Sequence, residues 1–293
     1  MIRIRKKASG IYIILTLSAL VAILPFFLMI MSSFTDESII FLNGYRFLPA
    51  KFSMDAYRYV LVNLGQIGRA YSVTICITVF GTIVNTMITA MLAYPLSRPF
   101  LPCRRIFSLL VVLTLLFNGG LVPTYLVYTQ IFHIKNTIWA LLLPNLLMSP
   151  FQVILARTYF TNSIPSEIMD AATIDGAGET RIFFKIAIPL AKPMIVTIGL
   201  FSGIAYWNDW MNSLYYITNA RLIGIQSYLN RILSDLQYLQ SNEAAASISG
   251  DISFPGMSIR MAIASIAILP LIILFTIFQK HFVKGIAMGA LKG

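Results

Sequence analysis

Long apolar runs separated by short polar stretches occupy most of this chain of 293 residues. A helix needs roughly 20 residues to cross the ~30 Å of hydrocarbon in a bilayer. Six segments are apolar over such a length, and they lie at about 11–34, 70–96, 106–131, 137–157, 193–217 and 258–280. The pattern predicts an all-α membrane protein with six transmembrane helices. No repeat or change of composition divides the chain, so a single domain, 1–293, is expected.

The composition and charge exclude two classes of protein. With 58% hydrophobic residues and a mean hydropathy of +0.79, the chain is too apolar for an ordinary soluble domain. The formal net charge of +11 is also typical of nucleic-acid binding proteins. In a membrane protein, however, Lys and Arg collect in cytoplasmic loops, so we expect no nucleic-acid partner.

The distribution of the basic residues predicts the topology. The first apolar run follows four cations and exceeds 20 residues without a small-residue cleavage site, so it is expected to stay as an uncleaved span. Six spans place both termini on one side, and a cytoplasmic N-terminus puts 14 of the 22 Lys and Arg residues inside. These are Arg3, Arg5, Lys6, Lys7, Arg98, Arg104, Arg105, Arg157, Arg181, Lys185, Lys192, Lys280, Lys284 and Lys292.

The cytoplasmic loop at about 158–192 concentrates charge between two apolar regions. Pro165 suits the first turn of a helix, and a glycine pair, Gly176 and Gly178, is expected to end that helix. A second helical run then leads from Glu179 to Pro189. The sequence predicts helix, glycine turn, helix. Four residues near one side of the first helix form the expected docking side: Ile164, Ile168, Ala171 and Ala172.

This loop closely resembles the EAA loop of ABC importer permease subunits. The family pattern is E-A-A, three residues, G, nine residues, I-x-L-P; here Asp170-Ala171-Ala172, Gly176 and Ile186 to Pro189 keep the spacing, with Asp for Glu and Ile for Leu. The resemblance implies that the first helix is a coupling helix seated in a groove of a cytoplasmic ATPase subunit. The implied coupling residues are Glu167, Asp170, Ala171, Ala172, Asp175 and Gly176. Asp170 is one methylene shorter than Glu, and Glu167 supplies an alternative carboxylate. An ordinary amphipathic surface hairpin is the alternative interpretation.

The third span contains the run F-N-G-G-L-V-P-T-Y, which resembles a segment of the oligosaccharide-import subgroup of this family. Gly119, Gly120 and Pro123 prevent a continuous regular helix without strain. Backbone groups freed at such a break find partners inside the protein, so the break serves either helix packing or a watery path. Candidate path residues are Asn118, Gly119, Gly120 and Tyr125.

Trp207-Asn208-Asp209-Trp210 lies at the outer end of the fifth span. Aromatic rings beside amides and carboxylates suit sugar recognition, and all four residues are candidates for contact with the solute or a binding protein. Two alternatives stay open, since tryptophans also populate the membrane interface and Asp209 can serve as a local cap. The glycine-rich tail, 284–293, resembles the K-G-x-x-x-G-A-x-K-G ending of carbohydrate permeases. It is either frayed or in contact with the ATPase.

The sequence offers neither a catalytic residue nor a metal site. Asp170 and Asp175 have no nearby His, and neither His133 nor His281 has a ligand-spaced partner. The two cysteines are expected to be free thiols, with Cys76 buried in a span and Cys103 in a cytoplasmic loop. No G-x-x-x-x-G-K-[ST] motif is present, so ATP and Mg²⁺ are expected on separate subunits.

The resemblance implies a bacterial inner-membrane assembly with a second homologous permease, two ATPase subunits and an extracytoplasmic solute-binding protein, embedded in lipid. The implied solute is an oligosaccharide, and an acidic uronide such as an alginate or pectin fragment is one candidate. Alternatives are an ABC permease for a non-sugar solute, an ion-coupled secondary transporter and a membrane-embedded enzyme. The last two classes need ionisable residues within spans or a convergent titratable cluster, which this sequence does not display.

Overall fold

The computed structural model describes residues 2–144, 146–241 and 256–290, and the regular structure among these residues is helical except for a single bridge pair, Thr35–Phe52. The helices are α1 Ile2–Ser33, α2 Glu37–Asn43, α3 Asp55–Val62, α4 Leu64–Ser97, α5 Arg104–Leu116, α6 Leu121–Leu126, α7 Trp139–Leu142, α8 Pro150–Ser163, α9 Ser166–Ile174, α10 Glu179–Ile182, α11 Ile188–Leu190, α12 Lys192–Trp207, α13 Met211–Tyr216, α14 Ile225–Ser241 and α15 Met257–Ala290. Two π-helical turns, Val127–Ile131 and Phe183–Ala187, extend α6 and join α10 to α11, and Ala220–Leu222 is a 3₁₀ turn.

By length and composition, two of the described helical segments are able to cross a membrane, Gly10–Ser33 and Leu64–Ser97. The number rises to four if two bent pairs each count as one span. These pairs are α5 with Leu121–Ile131, bent by 112°, and Glu179–Leu190 with α12, bent by 81°. A shorter apolar helix covers Met257–Ile273. Six crossings therefore stay a prediction.

Residues group into two compact units, and a single domain over 1–293 also stays a prediction. The first unit comprises the described parts of 1–68 and 228–270. Within it, the Glu37 carboxylate accepts hydrogen bonds from the backbone N–H groups of Met257 (2.7 Å) and Ser258 (2.8 Å). Both N–H groups lie in the first turn of α15, where they have no partner within the helix, so the Glu37 side chain from α2 caps α15.

An ion pair lies next to this cap along the chain. Lys51 Nζ lies 2.7 Å from Asp36 Oδ2, and this hydrogen bond lowers the pKa of the Asp36 carboxyl.

The second unit comprises the described parts of 69–227 and 271–293. Its core joins the end of α4 to α8, α9, α10 and α12 through buried side chains: Ala90, Ala93, Tyr94, Leu96, Val153, Ala156, Phe160, Ile164, Met169, Ile182, Phe183, Ala187, Ala191, Met194 and Ile198. Alanines at 90, 93, 156 and 187 let these helices approach closely.

Helices α4 and α12 pack through glycines. A Cβ at Gly81 would lie 2.5 Å from the ring of Tyr206, and one at Gly203 would lie 3.3 Å from the Thr82 hydroxyl. Gly199 and Gly203 form the small-xxx-small spacing that membrane helices use for close contact. Their role is close approach, since both lie inside a regular helix.

The fourth apolar segment, 137–157, is not one continuous helix. Helix α7 ends at Leu142 and α8 begins at Pro150, because proline lacks the N–H that continues a helix and suits a first turn. Side chains from three positions bind carbonyls of the break. Tyr206 OH donates to Leu142 O (3.0 Å), Asn212 Nδ2 to Pro144 O (3.0 Å) and Asn85 Nδ2 to Leu146 O (2.7 Å). Irregular backbone within an apolar region is satisfied by protein groups in this way.

Candidate functional site

Helix α9 and the turn after it form the predicted coupling unit. Met169, 3% exposed, belongs to the core of the second unit, and Ala172 packs against that core. The opposite surface of α9 is open to solvent and carries Glu167, Asp170, Ala171 and Ile174, the last of which is 85% exposed. Helix α9 therefore presents two carboxylates and an unpartnered isoleucine outward.

The expected docking side needs a correction. Ile164 is buried in the core of the chain itself and Ala172 is half-buried, whereas Ile168 and Ala171 are exposed. Ala172 follows Met169 by three residues and so lies on the inward side of α9 with it, whereas Ile164 precedes α9 and packs into the core at the end of α8. We call the exposed residues Glu167, Ile168, Asp170, Ala171 and Ile174 the docking face.

The turn after α9 depends on Gly176, which has a φ of +76°. Its N–H donates to Thr173 O (3.0 Å), and the N–H of Ala177 donates to Ala172 O (2.9 Å). This pair of bonds is the Schellman motif, whose left-handed position favours glycine. A Cβ at 176 would meet no atom within 4 Å, so the constraint is backbone conformation and not space. Asp175 is the exposed residue just before this turn.

After the turn, the chain returns to the core through α10. One hydrogen bond holds the first residue of α10 in place. Tyr94 OH, from α4, donates to Glu179 Oε2 at 2.8 Å. The Tyr94 ring also lies 5.7 Å from that of Phe160 and 5.1 Å from that of Phe183. Sequence reasoning assigned no role to Tyr94, and the local pattern around it contains no signal for a contact 85 residues away.

The break in the third apolar segment is confirmed. Gly120 has a φ of +83°, and its N–H donates to Asn118 Oδ1 (2.9 Å), a side-chain turn that lies between α5 and α6. Asn118, Gly119 and Gly120 are exposed on the surface of the chain. Tyr125 is half-buried and its ring stacks on that of Tyr216 at 5.6 Å. Its hydroxyl accepts a long hydrogen bond of 3.4 Å from Lys135 Nζ.

The four residues at 207–210 do not share one surface. Trp207 is 2% exposed, with its ring 6.3 Å from that of Tyr71, so its predicted contact with a solute or binding protein is not available in this conformation. The cause is its position in the last turn of α12, on the side that packs inward. Asn208 and Trp210 are exposed. Asp209 Oδ1 accepts from Asn212 N–H (3.2 Å), which supports the local-cap alternative.

Sequence reasoning missed a buried polar cluster. Ser202 Oγ donates to Asn85 Oδ1 (2.6 Å) and lies 3.2 Å from Gln152 Oε1, and Asn85 in turn binds the carbonyl of Leu146. These side chains join α4, α8 and α12 at the break in the fourth segment. The available signal was a polar side chain inside each of the three apolar runs, two amides and one serine, since such side chains form hydrogen bonds between membrane helices.

The remaining candidates are a metal site, the two cysteines, His281 and the tail. Among the described residues, no three His, Cys, Asp or Glu side chains cluster closely enough to hold a metal ion. Both cysteines are free and exposed on the surface of the chain, and Cys76 lies within Leu64–Ser97, a helix able to cross a membrane, so its burial within a span stays a prediction. The side chains of His281 and of the tail, 284–293, lie outside those that the structure describes, so the two alternatives for the tail both stay open.

Comparison with known proteins decides the family. Residues 95–288 match the family described as "binding-protein-dependent transport system inner membrane component". The chain belongs to this family. A Bacillus subtilis (strain 168) relative, the polygalacturonan/rhamnogalacturonan transport system permease protein YtcP, is 35% identical over 283 residues, 97% of both chains. Protein LplC of the same organism is 36% identical over 275 residues, 93% of this chain and 90% of that one.

A solved structure extends the comparison to the fold of this permease. The structure of a bacterial ABC transporter involved in the import of the acidic polysaccharide alginate aligns with a TM-score of 0.80 and 30% identity, over 95% of this chain and 97% of that one. The resemblance identified from the coupling loop and the predicted all-α permease fold are therefore confirmed. The family is one of transport permeases, so the chain is a transport subunit of the inner membrane.

Proposed function

We propose that this permease forms the membrane path of an ATP-driven importer for oligosaccharides, and that an acidic uronide chain is its solute class. The observation that carries the proposal is the docking face, held outward on a helix anchored by Met169 and ended by a glycine-specific turn. Relatives named for polygalacturonan/rhamnogalacturonan transport and for alginate import support the solute class.

In this proposal the docking face binds an ATPase subunit on the cytoplasmic side. Its carboxylates, Glu167 and Asp170, are exposed and suit charge-assisted hydrogen bonds to arginines in a groove of an ATPase subunit. Ile168 and Ile174 supply apolar contact at the centre and end of the same surface. ATP and Mg²⁺ bind on two such ATPase subunits. A second, homologous permease and an extracytoplasmic solute-binding protein complete the assembly, with both termini of this chain in the cytoplasm.

The solute-facing residues in this proposal are those exposed at the break in the third segment. Asn118, Gly119 and Gly120 offer backbone and amide groups, and Tyr125 offers a ring fixed by stacking on Tyr216. Lys135 next to the Tyr125 hydroxyl adds a positive charge suited to a uronate. Asn208 and Trp210 are the exposed members of the 207–210 group and remain proposed contacts with the solute or the binding protein.

The test is purification of the tagged chain from its own host in mild detergent, followed by identification of bound subunits. We expect an ATPase to co-purify with the native chain and to be lost when residues 165–178 are replaced by a Gly/Ser linker. The matched control is a linker of the same kind in place of residues 219–222, which lie outside the loop. Equal recovery of the ATPase with and without the 165–178 segment would contradict the proposal.

The solute class is tested separately by uptake of labelled oligogalacturonide into cells. The control solute is the same oligomer with its carboxyls methyl-esterified, which removes charge and keeps the backbone. Uptake of the free acid, with little uptake of the ester or of a neutral malto-oligosaccharide, is the expected result. Equal uptake of acid and ester would exclude recognition of the uronate.

A further inference from the structure

Tyr94 connects both ends of the coupling loop to the end of helix α4. Its ring is 5% exposed and lies against Phe160 of α8, which enters the loop, and against Phe183, which follows α10 as the chain leaves it. Its hydroxyl donates to Glu179, the first residue of α10. One side chain therefore contacts the segments before and after the docking face.

The contacts of this side chain differ in their directionality. The ring contacts, like the burial of Met169 and Ala172, are apolar and tolerate small sliding movements. The hydroxyl–carboxylate bond fixes a donor and an acceptor at 2.8 Å. The Tyr94–Glu179 bond therefore resists displacement of the coupling loop more than the surrounding packing does. The same bond transmits that displacement to α4.

We propose that Tyr94 and Glu179 are positioning residues that transmit movement of the docked coupling helix into α4. The inference rests on the proposed function, in which the docking face binds an ATPase. Neither residue belongs to that face. Tyr94 is buried in the core, and Glu179 lies beyond the turn at Gly176. Removing their bond should therefore separate coupling from docking.

The variants isolate the bond from the packing. Tyr94→Phe keeps the ring and removes only the donor, Glu179→Ala removes the acceptor, and Glu179→Gln keeps an acceptor oxygen. Tyr159→Phe is the matched control, because Tyr159 packs against the same core from α8 and its hydroxyl is not the donor to Glu179. Each complex is purified with its ATPase, reconstituted in vesicles and assayed with and without loaded binding protein.

We expect Tyr94→Phe and Glu179→Ala to lower the stimulation of ATPase activity by loaded binding protein at least about fivefold, the low end of ordinary coupling between two sites. The double variant should be no worse than either single one, and Glu179→Gln and Tyr159→Phe should retain stimulation. Recovery of the ATPase subunit should match the native value throughout, and the thermal midpoint of the complex should stay native in Glu179→Gln and Tyr159→Phe.

Three results would overturn the inference. Full stimulation in Tyr94→Phe would show that the bond transmits nothing. Loss of the ATPase from the Tyr94→Phe complex, or rescue failing in Glu179→Gln, would assign the pair to docking or to charge instead. Failure of the proposed function is distinct, because then no ATPase would co-purify even with the native chain.

Discussion

Two glycines of this chain are constrained for different physical reasons. At Gly176 the constraint is the left-handed backbone of the turn, where the surrounding space is open. At Gly81 the backbone is an ordinary helix, and the constraint is the Tyr206 ring. The first constrains the geometry of a loop, and the second constrains the distance between two helices.

For the loop, Gly176→Ala should cost about 1 kcal/mol, because an L residue is strained in the left-handed region. The expected result is weaker recovery of the ATPase and lower uptake. Gly178→Ala is the matched control, since Gly178 has a φ of −68° and nothing within 4 Å of its Cβ position. Equal effects of the two substitutions in a pull-down would refute the conformational explanation.

For the helix pair, Gly81→Ala should destabilise the protein by about 1–3 kcal/mol, as overpacking does in a filled core. Gly65→Ala, on the same helix and with open space around it, should be neutral or slightly stabilising. Thermal unfolding in detergent measures the change in stability of both variants. A Gly81→Ala midpoint equal to that of the native protein would contradict the close α4–α12 contact.

At the scale of elements, the break between α7 and α8 depends on polar side chains from other helices. Asn85→Leu removes the donor to Leu146 O and one of the two acceptors within reach of Ser202 Oγ, so the Leu146 carbonyl loses this partner. The expected cost is about 1–3 kcal/mol. Asn162→Leu on α8 is a control, because Asn162 is exposed. Thermal midpoints should fall only for the Asn85 variant, and a fall of the same size for both would argue against the carbonyl contacts.

Local chemistry explains which elements the sequence predicts well. The spacing of Pro165, Asp170 and Gly176 predicts α9 and its turn, because caps and glycine turns depend on neighbouring residues. The break at Asn118–Gly120 follows from the same kind of signal. The burial of Trp207 is different, since it depends on Tyr71 of another helix. The Tyr94–Glu179 bond likewise joins residues far apart in sequence, so no local pattern predicts it.

At the scale of the whole molecule, the charge asymmetry predicts which side each loop occupies. Cys103 lies beside Arg104 and Arg105 and is exposed on the surface of the chain. A membrane-impermeant thiol reagent should therefore label it in inverted vesicles and spare it in right-side-out vesicles. Cys103→Ser removes that signal and shows any contribution from Cys76. Labelling of Cys103 only in right-side-out vesicles would reverse the topology.

We propose above that ATP, acting through the coupling loop, drives solute across this permease. The direct measurement is uptake of labelled oligogalacturonide into vesicles that contain the full complex, with ATP and ion gradients varied independently. We predict uptake that requires ATP and loaded binding protein, survives an ionophore that collapses proton and sodium gradients, and disappears when residues 165–178 become a Gly/Ser linker. Uptake driven by an ion gradient without ATP, and unchanged by the linker, would contradict this account and indicate a secondary transporter.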